Sequence, residues 1–377
     1  MARLDEVCSI NMGQSPESST YNETGDGIPF FQGNADFGII HPTVRIWCTS
    51  PTKIAHSGDI LISVRAPIGA LNIADIDCCI GRGLAALTVN EKLSHKKYIW
   101  YAIQSKIDEL NSKGTGSTFK AISKNILSET EIPLPSLERQ QDIATTLDKL
   151  TTLISLRKQQ LAKLDELVKA RFVEMFGESR LNPKSWNIVK LEQIADVGSS
   201  KRVFIEELQD EGIPFYRGTE IGSLAEGKKI TPELFITRSH YESLCKTSGR
   251  PSIGDLLMPS ICPDGRIWLV SNDEPFYFKD GRVLWIHPIS HQINSNYLRY
   301  VIKEKLIADY DNVASGTTFS ELKIFALKSL SIMIPPYILQ QMFSDFVLKI
   351  DNSKLTIENS LDKMEVLKRS LMQKYFG

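Results

Sequence analysis

Three charged residues in the second half of the chain have the types that metal-dependent nucleases use. Asp264, Glu321 and Lys323 could form an Asp…Glu-x-Lys pattern whose carboxylates would hold Mg²⁺. The gap of 57 residues between the two acids is loose, and an earlier copy of this region has Ala121 and Ser123 in place of the Glu and Lys. A solvated helix or loop face is the better interpretation of these charges.

A second pattern resembles a methyltransferase signature. Residues 334–337 read Ile-Pro-Pro-Tyr, whereas amino-methyltransferases have Asn or Asp before the two prolines to bind the exocyclic amine. Ile334 has no such acceptor, and Gly114-Thr115-Gly116 lacks the strand–turn–helix context of a cofactor loop. The sequence also has no P-loop lysine motif. We therefore expect no catalytic residue and no cofactor on this chain.

Neither the histidines nor the cysteines have the spacing of a metal site. The histidines are His41, His56, His95, His240, His287 and His291, and the cysteines are Cys8, Cys48, Cys78, Cys79, Cys245 and Cys262. Without CxxC pairs, the cysteines are expected to be small buried residues in a reducing cytosol. No metal is predicted.

The composition, 42% hydrophobic and 24% charged over 377 residues, is that of a globular protein. No apolar run approaches the roughly 20 residues that cross a bilayer, and the start, MARLDEVCSI, lacks a signal-peptide core. A cytoplasmic location without a membrane partner is expected.

The net charge of −1 counts against simple nucleic-acid binding. Residues 1–135 carry 12 Lys and Arg against 14 Asp and Glu, and residues 186–335 carry 17 against 19. If the protein binds DNA, its positive charges must be sorted onto one face, or a partner must supply much of the phosphate attraction.

The elements that would position any site follow from an internal repeat. The recurring segments are GIPFFQGN (27–34) and GIPFYRGT (212–219), GDILIS (58–63) and GDLLMPS (254–260), KYIWYAI (97–103) and NYLRYVI (296–302), and GSTF (116–119) and GTTF (316–319). The offset is the difference in residue number between equivalent positions of the two copies. It is 200 from GSTF onward, through Gln140-Gln141 to Phe176-Gly177, whereas it increases from 185 to 199 over the earlier segments. A frame of constant length therefore carries loops of variable length.

Short apolar segments bounded by Gly, Pro, Asp or Asn predict β-strands in each copy. These segments are 28–31, 59–64, 84–89, 213–216, 255–258, 267–270 and 283–287. Residues 97–111 and 296–309 each predict one short helix. The prolines of IPLP (132–135) and IPP (334–336) mark the ends of the two modules.

A long helix is predicted after each proline pair, over 137–176 and 337–376. Apolar residues at 3-4 spacing form one stripe on each helix: Leu147, Leu150, Ile154, Leu161, Leu164 and Val168 on the first, and Val347, Ile350, Ile357, Leu361, Met364 and Leu371 on the second. Forty helical residues extend about 60 Å. Charged interruptions do not coincide, since Arg157 matches Ile357 and Lys368 matches Val168, which favours one antiparallel pair. The alternative is that each helix packs only on its own module.

Several of these segments together resemble a known family. GDILISVRAPIG (58–69), GSTF followed by Lys120, IPLPSLERQQDIATTLD (132–148) and RFVEMFG (171–177) are similar to segments of type I restriction–modification specificity subunits. The order of the segments and their duplication carry the resemblance over essentially the whole chain. The second copy departs from it at IPPYILQQ, which lacks the equivalent of Glu138.

The resemblance implies an α+β fold with two β-rich target recognition domains in a pseudo-two-fold arrangement, joined by two long antiparallel helices in a coiled coil. The expected divisions are a first recognition domain (1–135), a central helix (136–177), a linker (178–185), a second recognition domain (186–336) and a C-terminal helix (337–377). Each domain would read one half of a split target in double-stranded DNA, and the helices would set the gap. The implied protein partners are two methyltransferase subunits, which carry S-adenosylmethionine, and restriction–translocase subunits, which carry ATP and Mg²⁺ chemistry.

Polar residues in the loops beside the repeated glycines are the candidates for DNA contact. Arginine can read guanine, Asn and Gln can read adenine, and hydroxyls and lysines can hold phosphates. The candidates are Gln32, Asn34, Arg65, Arg82, Ser117, Thr118 and Lys120 in the first module, and Arg217, Thr219, Arg266, Arg282, Thr317, Thr318 and Lys323 in the second.

Two other classes of function stay open at this level. The chain could be an enzyme, a methyltransferase or a nuclease with its own recognition modules, although the missing acceptor at Ile334 argues against the first. It could also be a coiled-coil scaffold whose modules bind protein, which the near-neutral charge favours slightly.

Overall fold

The chain forms two compact units, each containing a β-rich module and parts of two long helices. The computed structural model describes residues 1–115, 120–178, 181–315 and 320–377. Unit 1 comprises residues 1–158 and 359–377, and unit 2 comprises residues 159–358. The predicted α+β fold is confirmed.

The first module is built from short strands and four short helices. Its strands are β1 (Ala2–Arg3), β2 (Cys8–Met12), β3 (Tyr21–Asn22), β4 (Ile28–Phe31), β5 (Trp47–Cys48), β6 (Ile54–Ala55), β7 (Ile60–Ser63), β8 (Leu71–Ile73), β9 (Cys78–Ile80), β10 (Leu84–Val89) and β11 (Glu131–Ile132). Its helices are α1 (Leu4–Val7), α2 (Lys96–Ser105), α3 (Ile107–Lys113) and α4 (Lys124–Ser128), and the long helix α5 (Leu137–Phe176) follows.

The strands of unit 1 form two main sheets. The order in the antiparallel sheet is β2-β10-β7-β8, and the order in the other is β3-β5-β4-β9-β6, in which β4 and β9 pair in parallel. The central strand β7 is buried on both faces: Ile60 and Ile62 lie in the core that contains α2 and the start of α5, and Leu61 lies in the core with Phe31. This two-sided burial explains why the strand is apolar at every position but the last.

The second module repeats this construction. Its strands are β12 (Asn187–Lys190), β13 (Ala195–Gly198), β14 (Ile213–Tyr216), β15 (Phe235–Ile236), β16 (Leu256–Pro259), β17 (Trp268–Leu269), β18 (Tyr277–Phe278), β19 (Val283–Pro288), β20 (Ala314–Ser315), β21 (Glu321–Leu322) and β22 (Ser331–Ile334). Its helices are α6 (Gly218–Ala225), α7 (Arg238–Ser248), α8 (Ser295–Val313) and α9 (Ile324–Lys328), followed by the long α10 (Tyr337–Phe376).

Sheet order shows the equivalence of the modules. The sheet β13-β19-β16-β17 matches β2-β10-β7-β8, and β14 pairs with β18 in parallel as β4 does with β9. The helices α6 and α7 lie between β14 and β16, where the first module has no α-helix between β4 and β7. This insertion accounts for most of the drift in the repeat offset.

The long helix α5 has a defined start and end. At the start of α5, the Ser136 hydroxyl accepts the backbone N–H of Arg139 at 3.4 Å. At its end, Gly177 has φ +84°, the left-handed conformation that favours glycine there. Lys184 of the following linker and Trp186 at the start of the second module donate to the last carbonyls of the helix, including that of Phe176 at 2.9 Å.

The two units each hold segments of both long helices, running antiparallel. In unit 1, Arg139 lies over the Tyr375 ring and Lys158 pairs with Glu365 at 2.9 Å. The last helical residue, Phe376, is 1% exposed and packs on Tyr98 of α2, with ring centroids 5.1 Å apart. The first module is thus completed by the end of the second copy's helix.

Unit 2 has the reciprocal arrangement. Asp165 pairs with Lys354, and Arg171 lies over the Phe346 ring. Phe176 is fully buried against Tyr297 of α8 and Phe343 of α10, at centroid distances of 5.0 and 5.5 Å. In each unit, the phenylalanine of the repeated Phe-Gly pair is therefore a buried core residue at the end of a long helix.

Two predicted short helices differ from the structure. Residues 97–111 do not form one helix, because α2 ends at Ser105 and α3 begins at Ile107, with Lys106 at φ −99° and ψ 4°. The helix predicted over 296–309 extends to Val313 as α8, with non-helical angles at Asp309. In both modules the chain bends here and continues as helix, which a simple apolar periodicity does not reveal.

Candidate nucleic-acid interface

The candidate DNA-contacting loops of the first module meet at one end of its antiparallel sheet. The end of β2, the start of β10 and the end of β7 lie together because these strands are antiparallel neighbours. Backbone hydrogen bonds join the loops, from Gly81 to the Phe31 carbonyl at 2.8 Å and from Val64 to the Gly83 carbonyl at 2.9 Å. The turn that carries Arg82 is therefore fixed beside the residue after β4.

Four more predicted residues of this module lie beside Arg82 there. Arg65 forms an isolated antiparallel β-bridge with Ala121, and the N–H of Ala66 donates to the Lys120 carbonyl at 3.0 Å. Arg65 and Lys120 therefore lie on neighbouring segments of the backbone. Gln32 packs its backbone against the Gly81–Gly83 turn, where a Cβ at Gly83 would lie only 2.5 Å from the Gln32 carbonyl oxygen. Asn34 is half-buried and begins the helical turn that follows Gln32.

The second module brings its candidates together in the same way. The N–H of Ser260 donates to the Arg282 carbonyl at 2.9 Å, and that of Leu322 donates to the Ser260 carbonyl at 2.8 Å. Arg217 follows β14 directly, and Thr219 lies in the first turn of α6. Arg266 lies against the same helix, at Gly222.

Electrostatic pairing distinguishes the two candidate faces. In the second module, Arg217 pairs with Glu220 and Glu233, while Arg266 pairs with Asp264 at 2.7 Å. Arg282 and Lys323 both contact Glu321, and the bond from Lys323, with the charge of Arg282, lowers the pKa of that carboxyl. In the first module, Arg65, Arg82 and Lys120 are exposed and have no ion pair among the described residues.

Four candidate residues, Ser117, Thr118, Thr317 and Thr318, lie outside the described residues, as do Phe119 and Phe319. The remaining ten candidates occupy the loop clusters just described.

Sequence reasoning missed two polar groups of these loops. Arg202, in the loop after β13, donates to Asp280 at 3.1 Å beside the turn that carries Arg282. Its signal in the sequence was the Lys201-Arg202 pair that follows Gly198, and the drift in offset at the front of the modules hid this pair. Arg45 pairs with Asp36 and so braces the turn after Gln32.

A buried carboxylate explains the repeated Gly-Asp motif. Asp255 is 1% exposed and accepts the N–H of Ser252 at 2.9 Å, the indole N–H of Trp285 at 2.7 Å and contacts His287 at 2.6 Å. The equivalent Asp59 accepts a backbone N–H at 2.8 Å. These aspartates shape the turn before the central strand.

The acidic residues of the nuclease-like pattern are engaged with basic partners. Asp264 binds Arg266, and Glu321 binds Arg282 and Lys323. Within the described ranges, no group of three or more His, Cys, Asp or Glu side chains could hold a metal ion.

All six cysteines are unpaired, and five are buried; Cys245 is half-buried. Burial raises the pKa of Cys8, Cys78 and Cys262 to about 12. These thiols therefore behave as the small apolar residues that the sequence predicted.

The predicted stripes of the long helices face inward. Leu147, Leu150, Ile154, Val168, Val347 and Ile357 are buried, and Leu161, Leu164, Ile350, Leu361, Met364 and Leu371 are half-buried. A second set of apolar residues on the same helices is exposed, including Leu153, Leu156, Leu167, Leu348 and Leu355. Within the described residues, no helix combines the length and apolarity needed to cross a bilayer.

Comparison with known proteins places this fold in a family. Residues 1–166 and 183–368 each match the family described as Type I restriction modification DNA specificity domain. The chain therefore belongs to the type I restriction–modification DNA specificity family, and it carries two copies of the family's domain. Its role in such a system is recognition of DNA sequence.

Individual relatives agree over different lengths. The MjaIX specificity subunit of Methanocaldococcus jannaschii is 27% identical over 401 residues, which cover 99% of this chain and 91% of that protein. A putative MjaX specificity subunit of the same organism is 41% identical over 165 residues, 44% of this chain and 39% of that protein. A putative specificity subunit of Haemophilus influenzae is 26% identical over 98% of this chain and 88% of its own length.

Solved structures share the fold. The crystal structure of the S subunit from M. genitalium superposes with a TM-score of 0.63 at 17% identity, covering 100% of this chain and 95% of the other. A chain from a study of complex assembly and conformational transition of the type I R-M system gives 0.57 at 16% identity, covering 99% and 96%.

Proposed function

We propose that this protein is the non-catalytic specificity subunit of a cytoplasmic type I restriction–modification complex and that it reads a bipartite DNA target. The module in residues 1–135 would read one half-site and the module in residues 186–336 the other. The observation that carries the proposal is the equivalent loop cluster at the same sheet end of each module, built on one topology with different side chains. Two modules that share a backbone arrangement but differ in the side chains of these loops are suited to recognising two different half-sites.

The long helices would set the distance between half-sites and bind the partner subunits. Their buried stripes hold each unit together, so their exposed apolar residues remain for another protein. Leu153 and Leu156 are 46% and 53% exposed in unit 1, and Leu348 and Leu355 are 44% and 49% exposed in unit 2. Exposed leucines on rigid helices suit a protein interface. Two methyltransferase subunits with S-adenosylmethionine, and restriction–translocase subunits with ATP and Mg²⁺, are the partners that the family implies.

The low net charge is compatible with this assembly. The exposed Arg65, Arg82 and Lys120 concentrate positive charge at the candidate face of the first module. The paired arginines of the second module can still present N–H donors, but much of their attraction for phosphate is offset. Partner subunits would supply the remaining phosphate contacts.

The proposal is tested by mapping the methylated sites in cells that express this chain with its methyltransferase subunit. We expect one motif with two specified halves and an unspecified gap of fixed length. A continuous motif would contradict the proposal. In parallel, the purified chain is incubated with DNA and labelled S-adenosylmethionine, and methyl transfer without the partner would show that the chain is itself an enzyme.

A further inference from the structure

One side chain position is structurally equivalent in the two modules but holds different residues. Gln32 follows β4 and Arg217 follows β14, each at the end of the parallel strand pair. One residue earlier, the carbonyl groups of Phe31 and Tyr216 accept equivalent backbone hydrogen bonds of 2.8 and 2.9 Å from the chain after β9 and β18. The backbone therefore delivers both side chains to the same place in each loop cluster.

A carboxylate fixes the backbone at this position in both modules. Asp36 accepts the N–H of Gln32 at 2.8 Å, and Glu220 accepts the N–H of Arg217 at 2.9 Å. The carboxylate in each case belongs to the helical turn that follows. A side chain on such an anchored backbone is positioned well enough to discriminate between bases.

The guanidinium of Arg217 is also held along one edge. Its Nε donates to the two carboxylate oxygens of Glu220 at 3.1 and 3.2 Å, and its Nη2 contacts both Glu220 and Glu233. The Glu220 side chain is only 13% exposed, whereas those of Arg217 and Glu233 are 43% and 73% exposed. The inner carboxylate is thus a fixed support, and the outer one lies in solvent and can give way to a ligand.

The remaining edge of the guanidinium suits a base with two acceptors. Among the described residues, Nη1 has no hydrogen-bond acceptor. Nη2 keeps one N–H on Glu220, and its other N–H becomes available when Glu233 moves aside. Two parallel N–H donors match the O6 and N7 acceptors of guanine in the major groove, whereas a glutamine amide matches the N7 acceptor and N6 donor of adenine. Gln32 is exposed and offers such an amide at the equivalent place.

We propose that this position is a specificity determinant, through which Gln32 reads an adenine in one half-site and Arg217 reads a guanine in the other. The inference rests on the proposed function, since it assumes that each module reads one half-site. Glu220 acts as a positioning residue that keeps the guanidinium plane in a fixed orientation. Glu233 acts as a competitor of the base.

The first test compares methylated motifs for the wild-type chain, Arg217→Gln and Gln32→Arg, each expressed with the methyltransferase partner. We expect Arg217→Gln to change or relax one G·C pair in one half-site, and Gln32→Arg to change one A·T pair in the other. Arg238→Gln, an exposed arginine at the start of α7, is the matched control and should leave the motif unchanged. Identical motifs for the wild type and both variants would overturn the inference.

The second test measures binding of the methyltransferase–specificity complex to duplexes that carry 7-deazaguanine, which lacks the N7 acceptor, at that G·C pair. The modified base should weaken wild-type binding roughly tenfold and binding by Arg217→Gln less than twofold. Glu233→Gln should keep the tenfold effect, whereas Glu220→Gln should reduce it.

Arg217→Lys keeps the charge that pairs with Glu220 while removing the planar pair of donors, so it covers the case in which Arg217→Gln is unstable. Equal sensitivity of both Arg217 variants and the wild type to 7-deazaguanine would overturn the inference. A wild-type motif without two halves would instead overturn the proposed function, and this inference with it.

Discussion

At the scale of single residues, the two candidate DNA faces differ in how their basic side chains are held. Arg65, Arg82 and Lys120 extend into solvent, whereas Arg217 and Arg282 are braced by carboxylates. An extended cation attracts phosphate strongly but is not oriented, while a braced arginine loses attraction and gains orientation. Arg65, Arg82 and Lys120 therefore suit phosphate contacts in the first module, where Gln32 offers an amide for base contact, whereas the paired arginines of the second module are oriented for base contacts.

The pair between Arg217 and Glu220 should appear in the pH dependence of stability. Burial raises the pKa of Glu220, but hydrogen bonds from Arg217 and from backbone N–H groups outweigh this and bring the pKa to about 2, from an ordinary value of 4.5. Because the folded-state pKa is the lower one, the carboxylate stabilises the fold above about pH 4.5, and this contribution is lost as the pH falls towards 2. The difference in free energy of unfolding between the wild type and Glu220→Gln should therefore shrink over that interval.

Urea denaturation at a series of pH values measures this difference, with the exposed Glu211→Gln as the surface control. A difference that stayed constant from pH 6 to pH 2.5 would show that Glu220 is not held as an ion pair.

At the scale of elements, buried glutamines fix the start of each long helix. Gln340 is fully buried; its carbonyl oxygen accepts the N–H of Asn294 at 2.9 Å, and its amide donates to the carbonyls of Gln292 and Pro335. Gln140 makes the equivalent three bonds, with the N–H of His95 and the carbonyls of Leu93 and Pro135, and it also accepts the Ser94 hydroxyl at 2.7 Å. The repeated Gln-Gln pair is thus a structural connection between helix and module.

The far end of each long helix should stabilise the module of the other copy. Replacing Phe376 by Ala removes a fully buried ring beside Tyr98, and such truncations cost about 3–5 kcal/mol. Hydrogen exchange should therefore increase in α2 of the first module and stay unchanged in α8. Phe176→Ala is the reciprocal control, since that ring packs on Tyr297 of α8. Faster hydrogen exchange in α8 of the Phe376→Ala variant would contradict the packing of each helix end on the module of the other copy.

The exposed apolar residues of the helices give a second prediction at this scale. Leu156→Lys should weaken capture of the methyltransferase subunit by about tenfold, because a charge would replace an apolar side chain in the interface. The flanking Ser155→Lys adds the same charge at an exposed position on the opposite flank of the helix and serves as the control. Equal capture by both variants would place the docking surface elsewhere.

The long helices and the central strands could be predicted from the sequence because the internal repeat aligns each of them with its counterpart in the other copy. Leu137–Phe176 and Tyr337–Phe376 lie where the proline pairs and the apolar spacing put them. The insertion of α6 and α7 was not predictable, since it occurs once and has no partner in the repeat. The bracing of Arg217 by Glu233 was also hidden, because 16 residues separate the two along the chain. Tertiary contacts of this kind leave no local pattern.

At the scale of the whole molecule, the length of the long helices becomes a functional quantity. Helix α5 contributes residues 137–158 to unit 1 and residues 159–176 to unit 2, and α10 contributes to both in the same way. If the helices set the distance between the half-sites, inserting four residues into each helix near this division should lengthen the DNA gap between the half-sites. The expected increase is about 6 Å, or roughly two base pairs. Mapping methylated motifs measures the gap, and substituting four residues without insertion is the control. An unchanged gap would show that something else sets the spacing.

Each module is expected to read one half of the target independently of the other. The most direct measurement is to replace residues 1–130 with the corresponding module of another specificity subunit and to map the methylated sites of the resulting complex. We expect one half of the motif to change to that of the donor, while the other half and the gap stay the same. A change in both halves, or in neither, would contradict it.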